Sequence, residues 1–227
     1  MSHYSLSTSC QIKRLADLYE TFLGYKTNGY FVEVGAFDGD YVSNTSGLAD
    51  IGWGGLYIEP VTEYFQKCTQ RHQNNAGVKV LHCAIGTEEK EIHINIGGPL
   101  STISNSMVDK FNSLPWAHGY HQGRTETVRQ YPLETVLRAQ GVPRHFDVMS
   151  IDVEGYEWQV VENFPIQQWA PRMVIVELHD TNPEYREEWP SNNLVSDYFR
   201  DNRYEVVYKD FSNTVYRYHS VRQQPFP

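Results

Sequence analysis

The sequence predicts an α/β protein of the Rossmann-like kind, with a mainly parallel sheet of seven strands and helices on both faces. Three observations carry this. Short apolar runs alternate with helical periodicities over most of the 227 residues, the order expected of a parallel sheet covered on both sides. The first run breaks into a glycine turn, Gly35-Ala36-Phe37-Asp38-Gly39, and the second ends on a carboxylate, Glu59, about 20 residues further on. The last two runs, 204–208 and 214–218, lie too close for a helical crossover, so the final strand is antiparallel.

The elements follow in order. Ile12, Leu15, Ala16, Leu18, Tyr19, Phe22 and Leu23 recur at helical spacing until Gly24 and Asn28-Gly29, which makes residues 1–29 an N-terminal helical segment. Residues 30–34 form the first strand. Ser43 or Asn44 caps a helix carrying Leu48 and Ile51, and a Gly52-Trp53-Gly54-Gly55 turn leads into a strand over 55–59. Residues 61–74 form a helix with Tyr64, Phe65 and Cys68 inward, and 78–83 a third strand. Ile92, Ile94 and Ile96 alternate with His93 and Asn95, giving a half-exposed strand beside the main sheet. Residues 97–131 are the least regular stretch, rich in Gly, Pro and aromatic residues, and read as a lid or acceptor-binding insertion. A helix over 131–140 stops at Gly141 and Pro143. Strands at 146–151 and 173–178 flank a helix near 156–163, and a helix over 194–201 precedes the closing strands. No repeat or linker intervenes, so residues 1–227 are expected to form one domain.

Composition removes some functions. With 19 Lys+Arg against 28 Asp+Glu and no basic run, nucleic-acid backbone is disfavoured as a partner. No apolar run is long enough to cross a membrane. Cys10, Cys68 and Cys83 have no metal-type spacing, and Met1–Gln11 lacks a basic start and an apolar core. Both features predict a reducing, cytoplasmic setting.

The glycine turn selects the ligand. A dinucleotide site needs G-x-G-x-x-G beneath a pyrophosphate. This chain has G-x-x-x-G with a bulky Phe37 inside it, and Glu33 and Asp38 would repel a diphosphate. Two carboxylates suit a ligand with a positive end, which favours S-adenosylmethionine over NAD. Further on, Ser150-Ile151-Asp152-Val153-Glu154-Gly155-Tyr156-Glu157 and Val174-Ile175-Val176-Glu177-Leu178-His179-Asp180 end two more strands. Ligands of open parallel sheets lie beyond the carboxyl ends of the strands, so Glu33, Glu59, Asp152 and Glu177 share one rim.

The segments VEVGAFDG, YIEP, HCAIG, SIDVEGYE and VIVELHD resemble the FkbM family of S-adenosylmethionine-dependent methyltransferases, over Tyr30 to His179. The first motif departs from the family's usual Asn, with Phe37-Asp38 in the turn. The resemblance implies a class I methyltransferase fold and O-methylation of a sugar, glycan or natural-product hydroxyl. By position it implies Glu33 and Gly35 at the amino-acid end of the cofactor and Glu59 on the ribose. Ala84 and Ile85 would border the adenine and Ser101 the methionine moiety. Asp152 would stand where cofactor and acceptor meet. Phe37, Asp38, Gly39 and Pro60 complete the expected cofactor set.

For the proton of the acceptor hydroxyl, His179 is the expected base, with neighbouring carboxylates raising its pKa. Asp152 is expected to share in catalysis. Glu177 and His179, two apart in a strand, would point to the same side. With Asp152 they form a carboxylate, carboxylate, imidazole set that would suit manganese, iron or zinc, less typically magnesium. Alternatively Asp152 orients cofactor or substrate, Glu177 closes an internal network, and no metal binds. His118 and His121 read as solvated loop residues, and Glu154 and Glu157 as helix starters. Two other classes stay open: an NAD-type oxidoreductase, and a nucleoside-binding module without catalysis.

Overall fold

The computed structural model describes Tyr4, residues 6–182 and residues 192–219. Residues 1–3 and 5 of the polar N-terminal stretch lie outside the described residues. In chain order the first half contains α1 (Leu15–Leu23), β1 (Tyr30–Val34), α2 (Ser46–Asp50), β2 (Gly54–Ile58), α3 (Thr62–His72), β3 (Val78–Leu81), β4 (Ala84–Ile85) and β5 (Lys90–Asn95). The second half contains α4 (Asn105–Ser113), β6 (Thr125–Tyr131), α5 (Leu133–Gln140), β7 (Val148–Ile151), α6 (Glu157–Val161), α7 (Ile166–Trp169), β8 (Met173–Glu177), α8 (Asn192–Asp201), β9 (Tyr204–Lys209) and β10 (Asn213–Tyr218).

A seven-stranded sheet runs in the order β3-β2-β1-β7-β8-β10-β9. β10 pairs antiparallel with both neighbours, while β3, β2, β1, β7 and β8 pair in parallel. This is the class I, Rossmann-like methyltransferase arrangement. The central strands are apolar on both sides, and alternation divides them between two cores. Val32, Val34, Leu56, Ile58, Met149, Ile151, Val174 and Val176 pack on one face with α5, α6 and α8. Phe31, Tyr57, Val148 and Ile175 pack on the other with Leu15, Leu18, Tyr19 and Leu23 of α1.

The stretch 97–131 is more regular than its sequence suggests. α4 begins at Ser104, whose Oγ accepts from the Met107 N–H at 3.3 Å. It seats Met107 and Phe111 in a small cluster with Leu100 and Ala117. β6 pairs antiparallel with β5, with Ile92 opposite Val128, and parallel with β4. Together they form a second, three-stranded sheet, whose Ala84, Ile92, Ile94 and Val128 pack with Val61 and Tyr64. The β6 sequence Thr-Glu-Thr-Val-Arg-Gln-Tyr buries Val128 and Gln130. One buried aliphatic residue is too little to show as an apolar alternation.

Candidate functional site

Sheet register builds the site. Val34 is level with Ile58 and Ile151, and Ile151 with Val176. One residue further, Glu59, Gly35, Asp152 and Glu177 therefore form a row across the carboxyl ends of β2, β1, β7 and β8. The row can close up because position 35 has no side chain: a Cβ there would collide with the carbonyl oxygen of Asp152. Gly35 also has φ +84°, a left-handed conformation that favours glycine.

One cleft opens above Gly35 and Glu59. Its empty space, counted with the part open to solvent, is about 550 Å³ between Val34, Ile58, Glu59, Ala84, Ile85, Ser101 and Asp152. Glu59 is buried, and its two oxygens accept from the Phe37 and Val61 N–H groups, each at 2.8 Å. Two of its roughly four lone-pair positions remain for a ligand. Burial pushes its pKa up to about 8; the charges of Glu126 and Asp38 add to the rise, and the two N–H bonds oppose it. Tyr64, Ile94 and Ile103 close the apolar side. A flat base, a diol near Glu59 and a positive end near Asp152 fit this surface.

A second cleft of about 1090 Å³ lies on the other side of Asp152. Its floor holds Asp152, Glu154, Glu177 and His179, and its walls Tyr41, Leu100, Phe111, Trp116 and Tyr120. Trp116 remains 55% exposed and Tyr120 46%, so aromatic surface faces the opening. Among the described residues, none that lines it is a Lys or Arg. Asp152 borders both clefts and also the small one that joins them beside Glu33 and Val42. Burial, then the Glu177 charge, holds the Asp152 carboxyl well above the usual range. Burial also raises Glu154 strongly and Glu177 to about 7. His179 Nε2 lies 3.2 Å from Glu177 Oε1.

The description "Methyltransferase FkbM domain" matches residues 33–206. The chain belongs to the FkbM methyltransferase family. A search of curated protein sequences finds no significant match. Among solved structures it is similar to a presumed O-methyltransferase from Klebsiella pneumoniae. The identity there is 11% over 91% of this chain and 78% of that one, at a TM-score of 0.53. Identity at that level bears on the fold alone. Fibrillarin from Aeropyrum pernix, solved with natively bound S-adenosyl-L-methionine, shares 9% identity over 88% of this chain and 71% of that one, at a TM-score of 0.46.

Within this FkbM chain the expected cofactor residues divide. Gly35, Phe37, Glu59, Pro60, Ala84, Ile85, Ser101 and Asp152 all line the first cleft. Ser101 Oγ donates to the Gly98 carbonyl at 2.6 Å and accepts from the Gly97 N–H at 3.1 Å, so it also ties its own loop. Glu33, Asp38 and Gly39 do not line that cleft. Glu33 lies two residues behind the row, beside the small joining cleft. Its Oε2 accepts from Ser43 Oγ at 2.9 Å and from Thr45 Oγ1, and burial raises its pKa to about 7. Asp38 Oδ1 accepts from the Asp40 and Tyr41 N–H groups at 3.0 and 2.8 Å, which closes the turn. Gly39 makes room for Cys68 and His72 of α3.

Among the rim residues, Asp152, Glu154 and Glu177 bring one oxygen each within 4.8 Å of one another. Glu154 thus stands where the expected set had His179. Its helix-starter reading fails: it is buried, with φ +53°, and lines both clefts. Glu157 starts α6, and its Oε1 accepts from the Gly155 N–H at 3.1 Å. His179 lies beyond the end of β8 with φ +50°, so a turn rather than strand alternation brings it to Glu177. Its pKa is lowered, not raised, because burial outweighs the surrounding carboxylates. His121 is no solvated residue; its ring stacks on Phe111 at 5.7 Å. Leu100, Phe111, Trp116 and Tyr120 of this wall lie in the 97–131 stretch expected to bind the acceptor, whereas Gln11 and Tyr41 carry no motif that marked them.

Proposed function

We propose that the chain is an S-adenosylmethionine-dependent O-methyltransferase, built as one domain, acting on a hydroxyl of an uncharged sugar, glycan or natural product. The observation that carries this is the position of Asp152, which borders both the cleft containing Glu59 and the cleft containing His179. When bound, the cofactor supplies a methyl group on a sulfonium for in-line transfer to an oxygen.

The protein's part is largely positioning. Glu59, fixed by two backbone N–H bonds, accepts the ribose hydroxyls. The apolar wall at Ala84 and Ile85 takes the base. Asp152 offers negative charge where the sulfonium and the acceptor meet. In the second cleft the aromatic walls suit the faces of a ring, and the lack of Lys and Arg among the described lining residues favours an uncharged acceptor. His179 takes the hydroxyl proton. Burial keeps its imidazole neutral near pH 7, the form a base needs. The three cysteines are free thiols, which supports a reducing, cytoplasmic setting.

The test is calorimetry with S-adenosylmethionine and NAD, followed by S-adenosylhomocysteine release against a panel of neutral and anionic glycosides. S-adenosylmethionine should bind and NAD should not, and turnover should appear with neutral acceptors. Preference for anionic acceptors would overturn the acceptor class.

A further inference from the structure

We infer that Gln11 and Ser212 are specificity-determining residues of the second cleft, where they hydrogen-bond hydroxyls of the acceptor other than the one that is methylated. Both line that cleft. Both also lie outside the family match, which spans residues 33–206. The acceptor is therefore read in part by the two segments that flank the matched region. This inference rests on the methyl-transfer reading and deepens it.

The structure brings the two flanks together and fixes them. Asn213 Nδ2 donates to Gln11 Oε1 at 3.1 Å, across 202 positions of sequence. The stretch around Gln11 is tied down on both sides. Ser7 Oγ donates to the Asp40 carbonyl at 2.7 Å, and Ser9 Oγ accepts from the Val42 N–H at 2.8 Å. Ile12 and Leu15 are fully buried. Gln11 is thus held at the cleft with its carbonyl oxygen engaged, and Nε2 is the group it offers to a ligand. Ser212 uses its backbone to join the β9–β10 turn to the end of β8. Its N–H donates to Asp210 Oδ1 at 3.0 Å, and its carbonyl accepts from the Leu178 and His179 N–H groups at 2.8 and 3.1 Å. The Ser212 hydroxyl enters none of these bonds, and it belongs to the residue that fixes the backbone of His179.

The donor types set the ligand class. An amide NH₂ and a hydroxyl are uncharged, and the oxygen of a sugar hydroxyl accepts from either. Tyr41, Trp116 and Tyr120 in the same lining offer flat apolar faces. Aromatic faces beside neutral donors match a ring with several hydroxyls, a pyranoside. A simple alcohol or a phenol would fill the aromatic side and leave Gln11 Nε2 and Ser212 Oγ without partners. Sites built to hydrogen-bond a hydroxyl reject analogues that lack it, because the site's own polar groups are then left unpaired.

The test uses the full chain with S-adenosylhomocysteine present. The probes are the methyl α-pyranosides of glucose, galactose, mannose and rhamnose, read by saturation-transfer NMR. Wild type should bind at least one with a Kd of about 10 mM or below. At least one monodeoxy analogue of that glycoside should bind about threefold or more weakly. Gln11→Met and Ser212→Ala, both checked by thermal melting, should each weaken the parent glycoside about three- to tenfold and bring it level with one deoxy analogue. Calorimetry should give both variants the wild-type affinity for S-adenosylmethionine, because neither residue lines the cofactor cleft. Glu63→Gln, on exposed α3, should bind the glycoside as wild type does. No glycoside bound by wild type up to about 50 mM, or an undiminished affinity in either folded variant, overturns the assignment. Cofactor binding without glycoside binding defeats these contacts and leaves the methyl-transfer reading intact. Glycoside binding that both variants weaken, without cofactor binding, keeps the contacts and removes that reading.

Discussion

Replacing Glu59 with Gln should separate two opposite effects of one buried carboxyl. Glu59 is 4% exposed and accepts two backbone N–H bonds at 2.8 Å. Gln keeps one carbonyl acceptor and sets an NH₂ against the other N–H. It also loses the charge that the ribose hydroxyls would meet. Hydrogen bonds to a charged group contribute about 1.5–3 kcal/mol, so S-adenosylmethionine should bind about 10- to 150-fold more weakly. The pH dependence is sharper. With a pKa near 8 in the free protein, the wild-type carboxyl is mostly protonated at pH 7, and the ligand selects the ionised form. Affinity should therefore rise about tenfold per unit from pH 6 towards pH 8 and then level off. The stability of the free chain runs the other way. The folded pKa lies above the ordinary 4.5, so the group stabilises the fold below about pH 4.5 and loses that contribution as pH rises towards 8. Calorimetry and melting at pH 6, 7, 8 and 9 read both. Glu59→Gln should flatten the affinity slope and lessen the loss of stability with pH. An affinity independent of pH, together with a variant within about threefold of wild type, would refute the ribose role.

Four further outcomes follow from the geometry. His179→Ala should lower kcat about 10²–10⁴-fold and leave S-adenosylmethionine affinity nearly unchanged, since His179 lines the second cleft alone; full turnover would remove it as the base. Because burial lowers the His179 pKa, the acid limb of kcat in wild type should fall below pH 6.5, and a limb above that value would count against neutral His179. Gly35→Ala must fit a Cβ against the Asp152 carbonyl at φ +84°, so it should destabilise the chain by about 2 kcal/mol or more and abolish cofactor binding; wild-type melting would show that the row can relax. Hydrogen exchange across residues 97–131 should slow when cofactor and acceptor bind together, most around Trp116, and equal exchange in the free and ternary states would mean a fixed wall rather than a lid.

Much of the fold was legible in the chain itself. Buried parallel strands are apolar on both faces, so β1, β2, β7 and β8 announce themselves as short, largely apolar runs. A strand that ends on a carboxylate exposes it on the ligand side of the sheet, which made Glu59, Asp152 and Glu177 readable as rim residues before any contact was known. The short joint between β9 and β10 fixed the antiparallel end.

Local pattern could not say which acids meet. Glu33 and Glu59 both look like motif carboxylates, but register leaves Glu33 two residues back, under Ser43 and Thr45, and brings Glu59 to the cleft. Glu154 reads as a helix starter because acids favour helix N-termini; only the turn after β7 carries it to within 4.8 Å of Asp152 and Glu177. The sign of the His179 shift was likewise a tertiary matter, because burial depends on what packs around a group and here outweighs the carboxylates. The second cleft draws on Gln11, Tyr41, the pair Trp116 and Tyr120, and Ser212, segments far apart in the chain that no common spacing relates. Sequence determined the sheet and the side of it on which ligands bind, since both follow from local periodicity. Tertiary structure decided which charges share a floor and what closes over them, because those contacts join segments that no local pattern relates.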